Sequence, residues 1–225
     1  MAVDLRQEQQ TSLARPRLRY SPAAKLFFFI MDLITGKKTT LAKAKLIEIL
    51  AGIPYRAWEN RQYTRMTRRF RDPDLIRRAR RIAAWGREAQ DNEYWHLLVI
   101  DEKMKEDGIR DPWYLSPAFT ILVVGSYKIF ARLLALFSIR RAFLFNAEFE
   151  DHAEHVYARF VEDHPEWEEQ PAQGERAREA GDLMTWADVF RRIGLDERDH
   201  MNNSFIFSGS PESVVEYEGM PEIPA

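Results

Sequence analysis

Two copies of one short pattern constrain this chain more than anything else in it. They are Glu93-x-x-His96, within Asp91-Asn92-Glu93-Tyr94-Trp95-His96, and Glu197-x-x-His200, within Leu195-Asp196-Glu197-Arg198-Asp199-His200. On a helix, residues three apart share a face, so each pattern can aim a carboxylate and an imidazole at one point. Two such pairs, with a lone Glu from each of two further helices, form the ligand set of a di-iron or di-manganese carboxylate bundle. The chain offers those two acids in register. Glu48 precedes Glu93 by 45 residues and Glu150 precedes Glu197 by 47. Near-equal separations are what two antiparallel hairpins need to bring their ligands to one level.

The residue inventory agrees with that set. There is no Cys, which removes disulfides, iron–sulfur clusters, thiolate metal sites and cysteine nucleophiles together. A metal must therefore be held by Glu, Asp and His, a donor set that suits iron or manganese. At 225 residues and 45% hydrophobic content, the chain can bury a large core as one domain. The formal net charge is only -2, but the charges are segregated. Lys and Arg crowd Lys37 to Arg81, and Glu and Asp crowd Glu148 to Glu179. A basic half is open to three readings: a solvated helix face, an anionic membrane surface or nucleic acid. The neighbouring apolar segments favour the membrane.

Periodicity and breakers give an all-α chain with no strand pattern. Residues 1–20 read as a flexible N-terminal tail without a secretory signal. Ser21-Pro22 caps an apolar helix over residues 21–35, too short to span a bilayer and too uniformly apolar for an ordinary surface helix. Thr39 or Thr40 caps a helix to about Phe70, kinked at Pro54. Asp72-Pro73 opens the next helix, to about Asp107, with Gly108 closing it. Residues 113–137 form the most apolar segment, about 37 Å if helical throughout. Lys128 and Arg132 interrupt it, which favours a helix lying in the membrane interface; the competing reading is a buried helix of a soluble bundle. Ile139 to about Asp163 is the fourth bundle helix. An acidic connection over Glu166–Asp182 then leads to Thr185 and a last helix, Trp186 to about Phe207. Residues 208–225 read as a tail. Residues 21–207 are thus expected to form a single domain.

Taken alone, Glu48 reads as a surface acid, yet Leu46, Ile47, Ile49 and Leu50 make its exposure awkward. Glu148 and Glu154 read as solvated. His152 and His155 fall off the Glu150 face and receive no metal, and His164 reads as a partner of a helix C-terminus. Asp91, Asp196 and Asp199 are candidates to orient the ligand histidines.

Four of these segments together resemble a known family, the alternative oxidases, which are membrane-associated di-iron quinol oxidases that include the plastid terminal oxidase branch. Leu46-Ile47-Glu48-Ile49-Leu50-Ala51-Gly52-Ile53-Pro54 resembles the family's Leu-Glu-Thr segment with its nearby Pro. Asn92-Glu93-Tyr94-Trp95-His96-Leu97 is similar to its Asn-Glu-x-x-His-Leu block. Phe149-Glu150-Asp151-His152-Ala153 stands where Leu-Glu-Glu-Glu-Ala would be, with His152 closer to the plastid branch. Asp196-Glu197-Arg198-Asp199-His200 resembles the final Asp-Glu-x-x-His.

The resemblance implies a ferritin-like four-helix di-iron bundle with two additional apolar membrane-docking helices, residues 21–35 and 113–137. It implies two Fe ions held by Glu48, Glu93, His96, Glu150, Glu197 and His200. Tyr157 would stand beside the metals as a redox-active tyrosine. Lys43, Ile47, Phe149, Ala153 and Val156 would line the quinol pocket, and Asn92 and Asp196 would support the ligands. Lys43 replaces the family's usual Arg, Val156 a hydroxyl residue and Phe149 a Leu. The implied activity is quinol:oxygen oxidoreduction, with ubiquinol or plastoquinol reducing O2 to water without proton pumping. The expected protein docks on one leaflet of a bacterial inner membrane or an organelle membrane, is not secreted, forms a homodimer and binds no nucleic acid. Two rival readings stand beside it: a ferritin-like di-iron oxygenase or ferroxidase, and a non-enzymatic membrane-surface helical protein.

Overall fold

A computed structural model describes residues 3–179, 181 and 185–221 of the chain. Residues 180 and 182 of the expected acidic connection, and 1–2 and 222–225 of the expected tails, lie outside that set. The described residues are all-helical, apart from one isolated bridge between Pro171 and Thr185. The helices are α1 (Leu5–Ala14), α2 (Pro22–Thr35), α3 (Leu41–Arg68), α4 (Pro73–Glu106), α5 (Pro117–Phe137), α6 (Ile139–Asp163), α7 (Glu175–Glu179) and α8 (Trp186–Ser208). Their starts follow from capping chemistry. The side chains of Ser21, Thr40, Asp72 and Thr185 accept hydrogen bonds from the first-turn amides of Ala24, Lys43, Leu75 and Asp188. Gly209 ends α8 at φ 81°, a left-handed conformation that favours glycine.

Contacts divide the chain into two compact units, and the division falls inside α6, between Phe143 and Leu144. The unit that begins at Thr40 holds α3, α4 and α5. Its α3/α4 hairpin closes tightly at Gly86, where the lack of a side chain leaves room and a Cβ would lie 3.1 Å from the Tyr55 carbonyl oxygen. Around that crossing, Trp58 stacks on Trp85 at 5.3 Å and meets Phe143 edge-on at 4.8 Å, with Tyr55 completing the cluster. Nearer the other end, Lys45 Nζ bonds Asp101 and Asp111, both at 2.7 Å. Burial alone would lower the Lys45 pKa, but these two acids raise it.

One boundary moved. Trp113–Leu115 forms a short 3-10 turn, and the apolar helix starts at Pro117, because proline lacks the amide needed to continue a helix through it. That helix, α5, is 21 residues long and apolar enough to cross a membrane, and only 17% of its most apolar window is buried. The reading of α5 as a buried bundle helix therefore fails. Ile121, Leu122, Ile129, Leu133, Leu136 and Phe137 all stand exposed along it.

The other unit gathers α1, α2, most of α6, α7 and α8. Residues 1–20 are not simply a tail, since Asp4 caps α1 and α1 packs on α8. The docking is polar, which is why no apolar stripe announced it. Gln9 is buried and donates to the Ala158 carbonyl at 2.9 Å, while accepting from Arg191 Nε at 2.7 Å. Ser12, also buried, donates to Glu154 Oε1 at 2.7 Å. Glu154 is fully buried rather than solvated, and holds Arg198 Nε at 2.9 Å and Arg15 Nη2 at 2.6 Å. Glu148 is half-buried and accepts both the amide and the hydroxyl of Ser21. The C-terminal segment also docks: Asn202 bonds the Val215 backbone at both its amide and its carbonyl, and Val214 and Val215 pack against Met201 and Phe205. On α2, Leu26, Phe29 and Leu33 remain exposed, a second bare apolar face.

Candidate metal centre

Each unit carries one triad of metal-ligand type. On α3 and α4, Glu48, Glu93 and His96 are buried, and they offer ligand atoms within 4.8 Å of one another. His96 Nδ1 lies 3.4 Å from Glu48 Oε2 and 3.5 Å from Glu93 Oε2. On α6 and α8, Glu150, Glu197 and His200 are likewise buried, with ligand atoms within the same 4.8 Å. His200 Nδ1 lies 3.4 Å from Glu197 Oε2. In both triads the i, i+3 spacing of Glu-x-x-His places the pair on one helix face, and the lone Glu comes from the neighbouring helix.

Glycines let the helix pairs approach where the ligands sit. Gly52, one turn beyond Glu48, lies where a Cβ would be 3.8 Å from Glu93 Cβ. Gly194, one turn before Glu197, lies where a Cβ would be 3.4 Å from Tyr157 Cβ on α6. The duplication visible in the spacing thus recurs in the packing.

Two carboxylates held this close at almost no exposure repel one another unless positive charge is shared between them. Oxygen and imidazole ligands at about 2.0–2.2 Å from one ion stand about 3–4 Å apart, so either triad fits a divalent cation. Oxygen-rich donors with one imidazole, and no thiolate, match iron or manganese. Buried Glu and His groups able to hold a metal are therefore present in both units.

The residues expected to support the ligands have these surroundings. Asp196 pairs with Arg192. Asp199 accepts the Tyr217 hydroxyl at 2.8 and 2.9 Å and faces Arg192 at 3.5 Å. Burial pushes the Asp199 carboxyl up to about 6, against the pull of Tyr217 and Arg192. Asp91 is exposed, and Asn92 is half-buried. The residue that the sequence reading missed is Asn146. It is buried on α6, and its amide donates to Glu150 Oε1 at 2.9 Å and to Ser204 Oγ at 3.1 Å. An Asn at i−4 to a ligand acid was the available signal.

Tyr157 is buried, its ring 6.2 Å from that of Phe190. Of the residues assigned to quinol, Lys43 is buried and Ile47 half-buried on α3. Phe149, Ala153 and Val156 follow one stripe of α6, with Phe149 5.6 Å from the Phe27 ring of α2. His152 stacks on Phe28 at 4.1 Å, and His155 is held between the carbonyls of Asp151 and Arg15. Neither belongs to a triad. His164 bonds the Phe160 carbonyl near the end of α6 and stacks on Trp167.

Comparison of the chain with protein-family models and with curated proteins found no match in either.

Proposed function

We propose that the two triads close on one pair of iron ions, and that the protein is a membrane-surface quinol oxidase of the alternative-oxidase type. The observation that carries this reading is the paired Glu–Glu–His triad, one per helix hairpin, each buried and each built on the same ligand order. In ferritin-like bundles two such half-sets complete one centre. Four carboxylates balance the charge of two divalent ions and leave positions open. When bound, the iron pair supplies the redox chemistry that lets dioxygen accept four electrons.

The chain's own residues have distinct tasks in that scheme. Asn146 fixes the Glu150 carboxylate by donating to one oxygen, leaving the other to face a ligand. Tyr157, two turns along α6 from Glu150, holds a phenolic proton and electron in a setting sheltered from water. Lys43 and Ile47 on α3, with Phe149, Ala153 and Val156 on α6, would receive the quinol head. Lys43 donates to a quinone oxygen as a point charge rather than through a planar fork. Two quinols yield four electrons and four protons, and one O2 becomes two waters. The exposed apolar faces of α2 and α5 suit docking on one leaflet, with Lys128 and Arg132 reaching headgroups. Together these features support the full reading over a metal-free scaffold.

The test is oxygen uptake by purified, iron-loaded protein supplied with a short-chain ubiquinol or plastoquinol. Uptake that vanishes in Glu150→Ala is expected. Iron-replete protein that ignores quinol, or hydroxylates a hydrocarbon instead, would overturn the oxidase assignment. A chain that purifies without iron and takes up none would remove the metal centre altogether.

A further inference from the structure

A cavity of about 470 Å³ lies within the α3–α4–α5 unit. Glu48 and Glu93 form part of its wall, and Ile49, Ile53, Leu97 and Val124 give it an apolar lining. Arg56, Lys128 and Arg132 border it as well, and all three are exposed. Val124, Lys128 and Arg132 follow one another at steps of four, so one stripe of α5 presents them together. Arg56 Nε donates to Gln90 Oε1 at 3.1 Å, which orients the guanidinium while keeping its charge available. No carboxylate pairs with any of these three cations among the described residues. The adjoining surface of α5 is bare hydrocarbon, with Ile121 73% and Ile129 62% exposed.

Three cations without an ion-pair partner, at an apolar lining beside a helix with an exposed apolar face, have a specific chemical complement. A free anion would use only the cations, and a neutral lipid only the apolar wall. An acidic phospholipid uses both. We propose that this cavity binds the phosphate headgroup of a single acidic phospholipid, with Arg56, Lys128 and Arg132 on the phosphate and the glycerol end against Val124 and Ile53. None of the residues assigned to quinol lines it, so the site is separate from that pocket. The inference rests on the membrane-docking part of the proposed function but not on the metal.

Calorimetric titration of the whole protein tests it with three probes: dihexanoyl phosphatidylglycerol below its micelle concentration, dihexanoyl phosphatidylcholine, and inorganic phosphate. The expected result is saturable binding of one phosphatidylglycerol per chain, at least tenfold tighter than either other probe. The combined variant Arg56→Gln, Lys128→Gln and Arg132→Gln should weaken it at least tenfold, each lost charge contributing about fivefold. Val124→Phe, which fills the cavity without changing charge, should produce a comparable loss. Arg68→Gln, Arg69→Gln and Arg71→Gln, at the α3–α4 turn, should leave binding intact, with circular dichroism confirming that all variants fold. Equal affinity for phosphate would make this a small-anion site and overturn the proposal. Equal affinity for phosphatidylcholine, or an equal loss in the turn variant, would also overturn it. Flotation on phosphatidylcholine vesicles reads membrane docking separately. A protein that floats but lacks the selective site refutes this inference alone, and one that fails to float refutes the docking it assumes.

Discussion

Along the hairpin that carries Glu48, Glu93 and His96, the supporting core is aromatic, with Tyr55, Trp58, Trp85 and Phe143 packed ring against ring. Along the helices that carry Glu150, Glu197 and His200, an aromatic cluster of Phe160, Trp167, Trp186 and Phe190 is joined by an ionic one. Arg198, Glu154, Arg15 and Asp151 interlock there, and Glu8 of α1 also pairs with Arg198. The same three ligand types thus rest on two different foundations. Dispersion and apolar burial hold the first, and they tolerate changes of ionic strength. A network of buried charges adds to the second, and such networks fail when one member is removed, because the partner stays buried without compensation. Similar ligand geometry therefore does not require similar scaffolding.

The largest expected effect tests whether the two triads act as one centre. Glu93→Ala and Glu150→Ala should each strip both metals, taking iron from about two per chain to nearly none by elemental analysis. If each variant loses only about half, the triads bind independently and the joint centre is broken. Next in size are the foundations themselves. Arg198→Ala should cost about 3–5 kcal/mol of unfolding free energy by denaturant titration. Trp58→Ala should cost about 3–5 kcal/mol through cavity formation. Hydrogen exchange should show the first loosening α8 amides and the second α3 amides. The reverse pattern would void the contrast.

The smallest effect concerns acidity. In the folded protein Asp199 titrates near 6, above the unfolded value of about 3.9. The folded state therefore binds the extra proton between those values, and this group's contribution falls as pH rises from about 4 to 6. Metal-free Asp199→Asn should show a smaller loss of melting temperature across that window than the parent. An unchanged slope would mean that the Tyr217 contact fully offsets burial.

What could be read from the chain depended on whether the signal was local. Caps at Ser21, Thr40, Asp72 and Thr185 were legible because the acceptor and its amide lie within three residues of each other. The Glu-x-x-His pairs that share a helix face were legible for the same reason. Pro117 was read through as part of a longer helix, although proline at a helix start is itself a local signal. Glu154 was misjudged because its cations, Arg15 and Arg198, lie far away in the chain, and helical periodicity does not say which polar face another helix will cover. The helix α1 escaped notice on the same grounds, since it docks through Gln9 and Ser12 rather than an apolar stripe.

The α1 attachment has a consequence for how the protein is made. Glu8 and Arg198 are 190 positions apart, so α1 finds its seat only after α8, far later in the chain, has been translated. Until then its polar contacts with α8 cannot form, and the closing of that unit waits on a long loop being drawn together. Synthesis rate, and not only sequence, thus sets when this half of the molecule becomes whole.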